Sequence, residues 1–175
     1  RISRTITNLN RDWRFHRGEC PAAIDPGFDD GTWQRVGLPH CFDTPYFRTP
    51  EFYVGEAWYR RTVYMAKNEI GARRMFLEFD GVFQVCDVFV DGQHVGQHSG
   101  GYTGFCVDIT DAVHRDRPVV TLRVDNRWNP QIAPRAGEHI FSGGVYRDVR
   151  LTIKHPIHVT WCGHEVSTSV VSKET

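Results

Sequence analysis

The chain has no apolar stretch approaching the roughly 20 residues that a bilayer-spanning helix requires, and its opening, RISRTITNLN, holds no apolar signal-peptide core. A soluble fragment is expected. With Arg at position 1 the compartment stays open among periplasm, cytoplasm and the outside of a bacterial cell. An excess of one charge is also missing: Lys+Arg and Asp+Glu are both 21 and no basic stripe occurs. Duplex nucleic acid and anionic membrane are therefore poor partners, for want of an electrostatic footprint. The five cysteines, Cys20, Cys41, Cys86, Cys106 and Cys162, form no CxxC pair. Cys86 and Cys106 fall inside apolar strands, so buried thiols are preferred over a disulfide framework or a zinc site. Nine histidines show no zinc-triad spacing, and His94 and His98, four apart, are not on a helix. No metal and no cofactor is expected, and helical periodicity is nearly absent.

What is present reads as an all-β sandwich. Residues 85–90 are mostly apolar on both alternations, as in a strand covered on two faces, and Asp91-Gly92 supplies the positive φ angles of a two-residue hairpin turn. The return strand, 93–96, is short, and Gly100-Gly101 then permits a sharp reversal. Phe105, Val107 and Ile109 next alternate with Cys106, Asp108 and Thr110, the period of two that marks a half-buried strand. Further strands are predicted over 58–64, 74–79, 119–124 and 145–153. Met75, Leu77 and Phe79 share a face, as do Val120, Leu122 and Val124, so both sets can line one core. Irregular spacing and non-hairpin connections favour two packed antiparallel sheets in a jelly-roll topology over an up-and-down barrel. Aromatics at 13% suit such a core and also offer flat surfaces for sugar rings or protein partners.

Two connections, 39–57 and 126–144, exceed the roughly 12 to 15 residues usual inside a compact domain. Both carry prolines and aromatics, including Pro45, Pro50, Phe42, Tyr46, Phe52, Tyr53, Pro130, Pro134 and Trp128, which argues for ordered and functional loops. Lys154-His155-Pro156 breaks the last strand, and Ile157, Val159 and Trp161 begin a new alternation. A lone strand cannot bury its face, so residues 1–155 are read as the jelly-roll domain and 156–175 as a linker or the start of a truncated following domain.

WQRVGLPH at 33–40, WYRR at 58–61, FDGV at 79–82, VFVDGQHVGQHSGGYTGF at 88–105, VDN at 124–126 and GGVYRDV at 143–149 occur in this order. Together they resemble the N-terminal sugar-binding domain of a β-galactosidase/β-glucuronidase-like family 2 glycoside hydrolase, and the loops look closest to β-galactosidase-like members. The resemblance implies a galactose-binding-domain-like jelly roll, followed in the parent by an immunoglobulin-like domain and a TIM barrel. It also implies that two barrel glutamates perform retaining hydrolysis. A barrel alone takes about 250 residues, so no position here inherits a catalytic role.

The resemblance places Glu138 where relatives carry an acidic residue, usually Asp, that reaches into the barrel's sugar pocket. The extra methylene of Glu shifts that reach or leaves His139 to share it. A carboxylate suits the task because it accepts charge-assisted hydroxyl bonds; without the family, Glu138 reads as a solvated loop acid. His40, Cys41, Phe42 and Asp43 resemble a loop at the active-site mouth, with Phe42 in place of the usual Trp. Phe42 could stack on a sugar face and Asp43 could bind a hydroxyl, against a plainer reading of loop packing; His40 reads as a structural hydrogen-bonder. Arg147 shares its alternation with Val145, Val149, Leu151 and Ile153 and is expected to be buried against Asp80 or Asp87. Arg147 and Asp87 are thus structural candidates, and loss of the arginine is expected to cost on the order of 3–5 kcal/mol.

The leading expectation is a non-catalytic accessory domain of a β-galactosidase-like enzyme, with carbohydrate and the parent's own domains as partners. An autonomous carbohydrate-binding module and a structural spacer are the alternatives.

Overall fold

A computed structural model describes residues 4–43, 52–133 and 142–168. Among them are ten strands: β1 (Thr5–Asn8), β2 (Trp13–Arg17), β3 (Gln34–Val36), β4 (Glu56–Thr62), β5 (Arg74–Phe79), β6 (Val85–Val90), β7 (Gln93–Ser99), β8 (Phe105–Asp108), β9 (Val119–Asp125) and β10 (Val149–Lys154). They form two antiparallel sheets, ordered β1-β10-β5-β8 and β3-β2-β4-β9-β6-β7, in the expected jelly-roll sandwich. No helix among the described residues is long and apolar enough to cross a membrane.

Strand alternation builds the core. Met75, Leu77 and Phe79 of β5, Leu151 and Ile153 of β10, and Phe105 and Val107 of β8 face Val120, Leu122 and Val124 of β9 and Cys86, Val88 and Val90 of β6. Phe79 and Phe105, paired across β5 and β8, stack with centroids 4.5 Å apart. The β6–β7 hairpin turns on Asp91 (φ 47°) and Gly92 (φ 86°), the left-handed pair a two-residue turn demands. A register shift opposite Val88 and Phe89 then lets β7 run to Ser99, three residues beyond the expected end.

One layer was not foreseen. Trp58 and Arg60 alternate away from the core, yet both are buried, because residues 18–33 double back over the outer face of the six-stranded sheet. Ala23 and Trp33 pack on Trp58, and the Arg60 guanidinium ties the excursion down. It bonds Asp30 Oδ2 at 2.9 Å, the Asp25 carbonyl at 3.1 Å and Thr121 Oγ1 at 3.2 Å, bonds the Ala23 carbonyl as well, and lies 5.5 Å from the Phe28 ring centre.

Two expectations change here. The strand predicted from residue 145 begins only at Val149, because a bend at Arg147 interrupts the alternation and turns that side chain out. Arg147 is exposed, with its guanidinium over the Tyr146 ring at 5.6 Å, and Asp80 pairs with Arg150. Burial with Asp80 or Asp87 as partner is thereby overturned for Arg147. Beyond Pro156 the described residues form no strand; His158 sets its ring against Phe76 at 5.3 Å while Ile157 is 81% exposed.

Candidate functional site

The described parts of the two long connections meet at one end of the sandwich. His40 N–H donates to Val145 O and Phe42 N–H to Gly143 O, both at 2.8 Å, so residues 40–42 run alongside 143–145. On its other side Gly144 exchanges two backbone bonds with Phe83. This close approach explains the two glycines: a Cβ at Gly143 would sit 2.3 Å from the Phe42 ring, and one at Gly144 (φ 138°) would sit 2.5 Å from the His40 carbonyl oxygen.

Asp43 joins three segments. Its fully buried carboxylate accepts the Tyr53 N–H at 2.9 Å and the Ser142 hydroxyl at 3.1 Å, and Arg17 lies 3.8 Å away. Asn126 repeats the device from the end of β9. Its Oδ1 accepts Gly55 N–H and its Nδ2 donates to Tyr53 O, both at 2.8 Å. Tyr53 in turn donates its hydroxyl to Glu56 O at 2.8 Å and carries the Arg17 guanidinium 5.1 Å over its ring.

Beneath these loops lies an aromatic cluster. Phe42 is 1% exposed and packs on Tyr53 at 5.9 Å and Phe15 at 6.0 Å, and Phe15 meets His40 at 4.6 Å. His40 Nδ1 is 2.9 Å from the Tyr59 hydroxyl. Burial, helped by the nearby Arg17 charge, lowers the His40 pKa to about 4, so the ring is neutral at pH 7. Burial likewise raises the Tyr59 hydroxyl well above its ordinary range.

The expected site residues divide accordingly. Phe42 and Asp43 stand at the predicted loop but face inward, so the ring offers no sugar platform and the carboxylate has its acceptors filled by the protein. Loop packing, the plainer of the two readings, describes them. Asp87 is a buried hub on β6, with Arg123 at 2.8 Å, Gln97 at 2.9 Å and His94 at 3.0 Å. Burial acts to raise its pKa, but the bonds from His94, Arg123 and Gln97 outweigh it and the pKa ends below the usual carboxylate value. Glu138 and His139 lie outside the described residues.

Sequence reasoning gave no role to Arg17, Asn126 and Ser142 and named Tyr53 only among the loop aromatics, yet the four hold the loop end together. For Tyr53, Asn126 and Ser142 the only signal was the polar and aromatic content of the two long connections, which does not say which side chain turns inward; Arg17, at the end of β2, gave none. Among the side chains this end turns outward are Trp128, 66% exposed, and the exposed Phe52 and Val54, beside the exposed Arg127. Among the described residues no group of three His, Cys, Asp or Glu side chains is placed to hold a metal ion. Among the described residues, Asp43 and the neutral His40 are both committed to internal bonds, so their part here is rigid presentation of the loops and not proton transfer.

A family model described as glycosyl hydrolases family 2, sugar binding domain, matches residues 20–156. A beta-galactosidase of Bacteroides ovatus is 35% identical over 183 aligned positions, covering 98% of this chain and 21% of that protein. A beta-glucuronidase of Bacteroides fragilis is 34% identical, covering 83% of this chain and 20% of that one. The crystal structure of a Bacteroides uniformis beta-glucuronidase superposes with a TM-score of 0.80 at 35% identity, over 86% of this chain and 18% of the other. The chain spans about a fifth of the length of the relatives it matches.

Proposed function

The chain belongs to the sugar-binding domain of the family 2 glycosyl hydrolases, and we propose that it is the non-catalytic accessory domain of a β-galactosidase-like or β-glucuronidase-like enzyme. The observation that carries this reading is the match over residues 20–156 to a domain that makes up about a fifth of longer hydrolases. In the parent, two carboxylates of a separate catalytic domain cleave the glycosidic bond by the retaining route. This domain packs its loop end against that catalytic domain, and the exposed Trp128, Phe52 and Val54 supply apolar contact area for it.

Glu138 and His139 precede in sequence Ser142, whose hydroxyl bonds Asp43, and the carboxylate of Glu138 contacts substrate hydroxyls through charge-assisted bonds. Residues from 156 onward open the following domain; the exposed Ile157, Val159, Trp161 and Val166 are apolar surface that such a domain would cover.

Two measurements test the reading. The 175-residue chain incubated with a nitrophenyl β-galactoside or β-glucuronide should give no turnover, and retaining hydrolysis by the chain alone would refute the division of labour. In the complete enzyme, Glu138→Ala should lower kcat/KM by about a hundredfold, and an unchanged value rejects substrate contact by that residue.

A further inference from the structure

The outward face of the six-stranded sheet carries a row of like charge. β3 places Arg35 opposite Arg14, and β4 places Arg60 opposite Arg14 on the other side. Like charges directly opposite across strands destabilise a sheet, so such a row calls for a compensating group. A recess of about 650 Å³ opens over it, lined also by Arg11 and Arg61 and opposed by Asp12 and Asp30 alone. Five guanidinium groups against two carboxylates leave three positive charges in excess.

These arginines are not equivalent. Arg60 is held inside by the excursion it anchors, and Arg61 directs its Nη1 at the Leu9 and Arg11 carbonyls. Arg14 has only long contacts, 3.9 Å to Asp30 and 3.4 Å to the Trp33 carbonyl. Arg11 and Arg35 are exposed and make no ion pair among the described residues. Three guanidinium groups on two adjacent strands and the turn before them are thus available to one occupant.

We propose that this recess binds an anionic sugar residue through its carboxylate or sulfate ester, with Arg35, Arg14 and Arg11 as the contacts. Planar guanidinium forks match both oxyanions in bidentate geometry. Size favours a small occupant: ligand pockets run from about 300 to 1,000 Å³, whereas a protein partner would need a broad, flatter surface of about 800 Å². The site lies on the sheet face beside Arg11 and Arg14, away from the loop end that begins at Arg17. It takes from the proposed function only that the ligand is a carbohydrate.

Calorimetry on the 175-residue chain tests it with trigalacturonate for the carboxylate, a sulfated galactobiose for the sulfate ester, and neutral galactotriose as reference. At least one anionic saccharide should bind about tenfold or more tightly than galactotriose and weaken as salt is raised. The Arg11→Gln, Arg35→Gln double variant, altered only at exposed positions, should keep the melting temperature and lose about tenfold in that affinity. The proposal is overturned if neither anionic saccharide binds, if galactotriose binds as well, if hexaglutamate binds as tightly as the sugars, or if the double variant retains full affinity. Glu138→Ala should leave this binding untouched, so failure here and failure of the accessory-domain reading are separate results.

Discussion

Arg60→Met should loosen the excursion over residues 18–33 before it disturbs the sandwich core. The Arg60 side chain is 2% exposed and supplies donors to Asp30, Thr121 and the backbone carbonyls of Ala23 and Asp25. Methionine keeps most of the apolar stem but leaves those acceptors without a donor. Removing one partner of a buried ion pair costs about 3–5 kcal/mol. Asp30 is 28% exposed, so water restores part of its solvation and the lower end, about 3 kcal/mol, applies. For a domain of this size each kcal/mol moves Tm by about 2–4 °C, giving a fall of about 6–12 °C. Calorimetric melts would measure it, and hydrogen exchange should show peptides over residues 20–30 opening while β5 and β10 stay protected. Arg60→Lys should fall in between, because one ammonium cannot reach acceptors spread around a planar fork. A Tm within about 2 °C of wild type, with unchanged exchange over 20–30, would show that the arginine does not hold the excursion.

Arg147→Met, by contrast, should leave Tm within about 2 °C of wild type, since its guanidinium is exposed; a larger fall in a thermal melt would restore the burial first expected of it. His40 has a folded-state pKa of about 4, below its ordinary 6.5, so the unfolded chain takes up the proton first. Its contribution is complete above pH 6.5 and declines as the pH falls to 4, by on the order of 3 kcal/mol. Urea melts of His40→Gln should therefore show a flatter fall in stability across that window, and parallel slopes for both proteins would count against the buried neutral imidazole. Gly144→Ala should cost about 1–3 kcal/mol, because the new Cβ meets the His40 carbonyl from a backbone conformation that L residues resist; an unchanged urea midpoint would contradict this. Asp87→Asn should cost about 1.5–3 kcal/mol by weakening its charge-assisted bonds to Arg123 and His94, and an Arg123→Gln cycle should show the two losses to be non-additive.

Much of the fold was legible because its signals are local. The Asp91-Gly92 turn, the alternation of 105–110 and the apolar faces of β5 and β9 each follow from spacing of two residues and one left-handed pair. β2 and β3 left weaker traces: WRFHR and QRV put charges on the outward positions, and those charges meet the excursion and the recess. The missed phase at residue 145 has a similar cause. Val145 is buried as the alternation suggests, but a bend at Arg147 resets the count before Val149, and no residue type in GGVYRDV announces it.

The two arginines show where sequence pattern stops deciding. Alternation within 145–153 assigned burial to Arg147, and alternation within β4 would assign Arg60 to solvent; the first is reversed by the bend at Arg147 itself, the second by a segment distant in sequence. Arg60 is interior because residues 18–33 return across the sheet and present carbonyls that need donors. The same logic holds at the loop end. Asp43 and Phe42 have the side chains a sugar site would use, yet Tyr53, Ser142 and Phe15 reach them first, from positions 10, 99 and 27 residues away. A polar or aromatic residue in a long loop is open to ligand only where the protein leaves its bonding capacity unfilled. At the recess that condition is met by the guanidinium groups of Arg11 and Arg35, which are exposed and make no ion pair among the described residues.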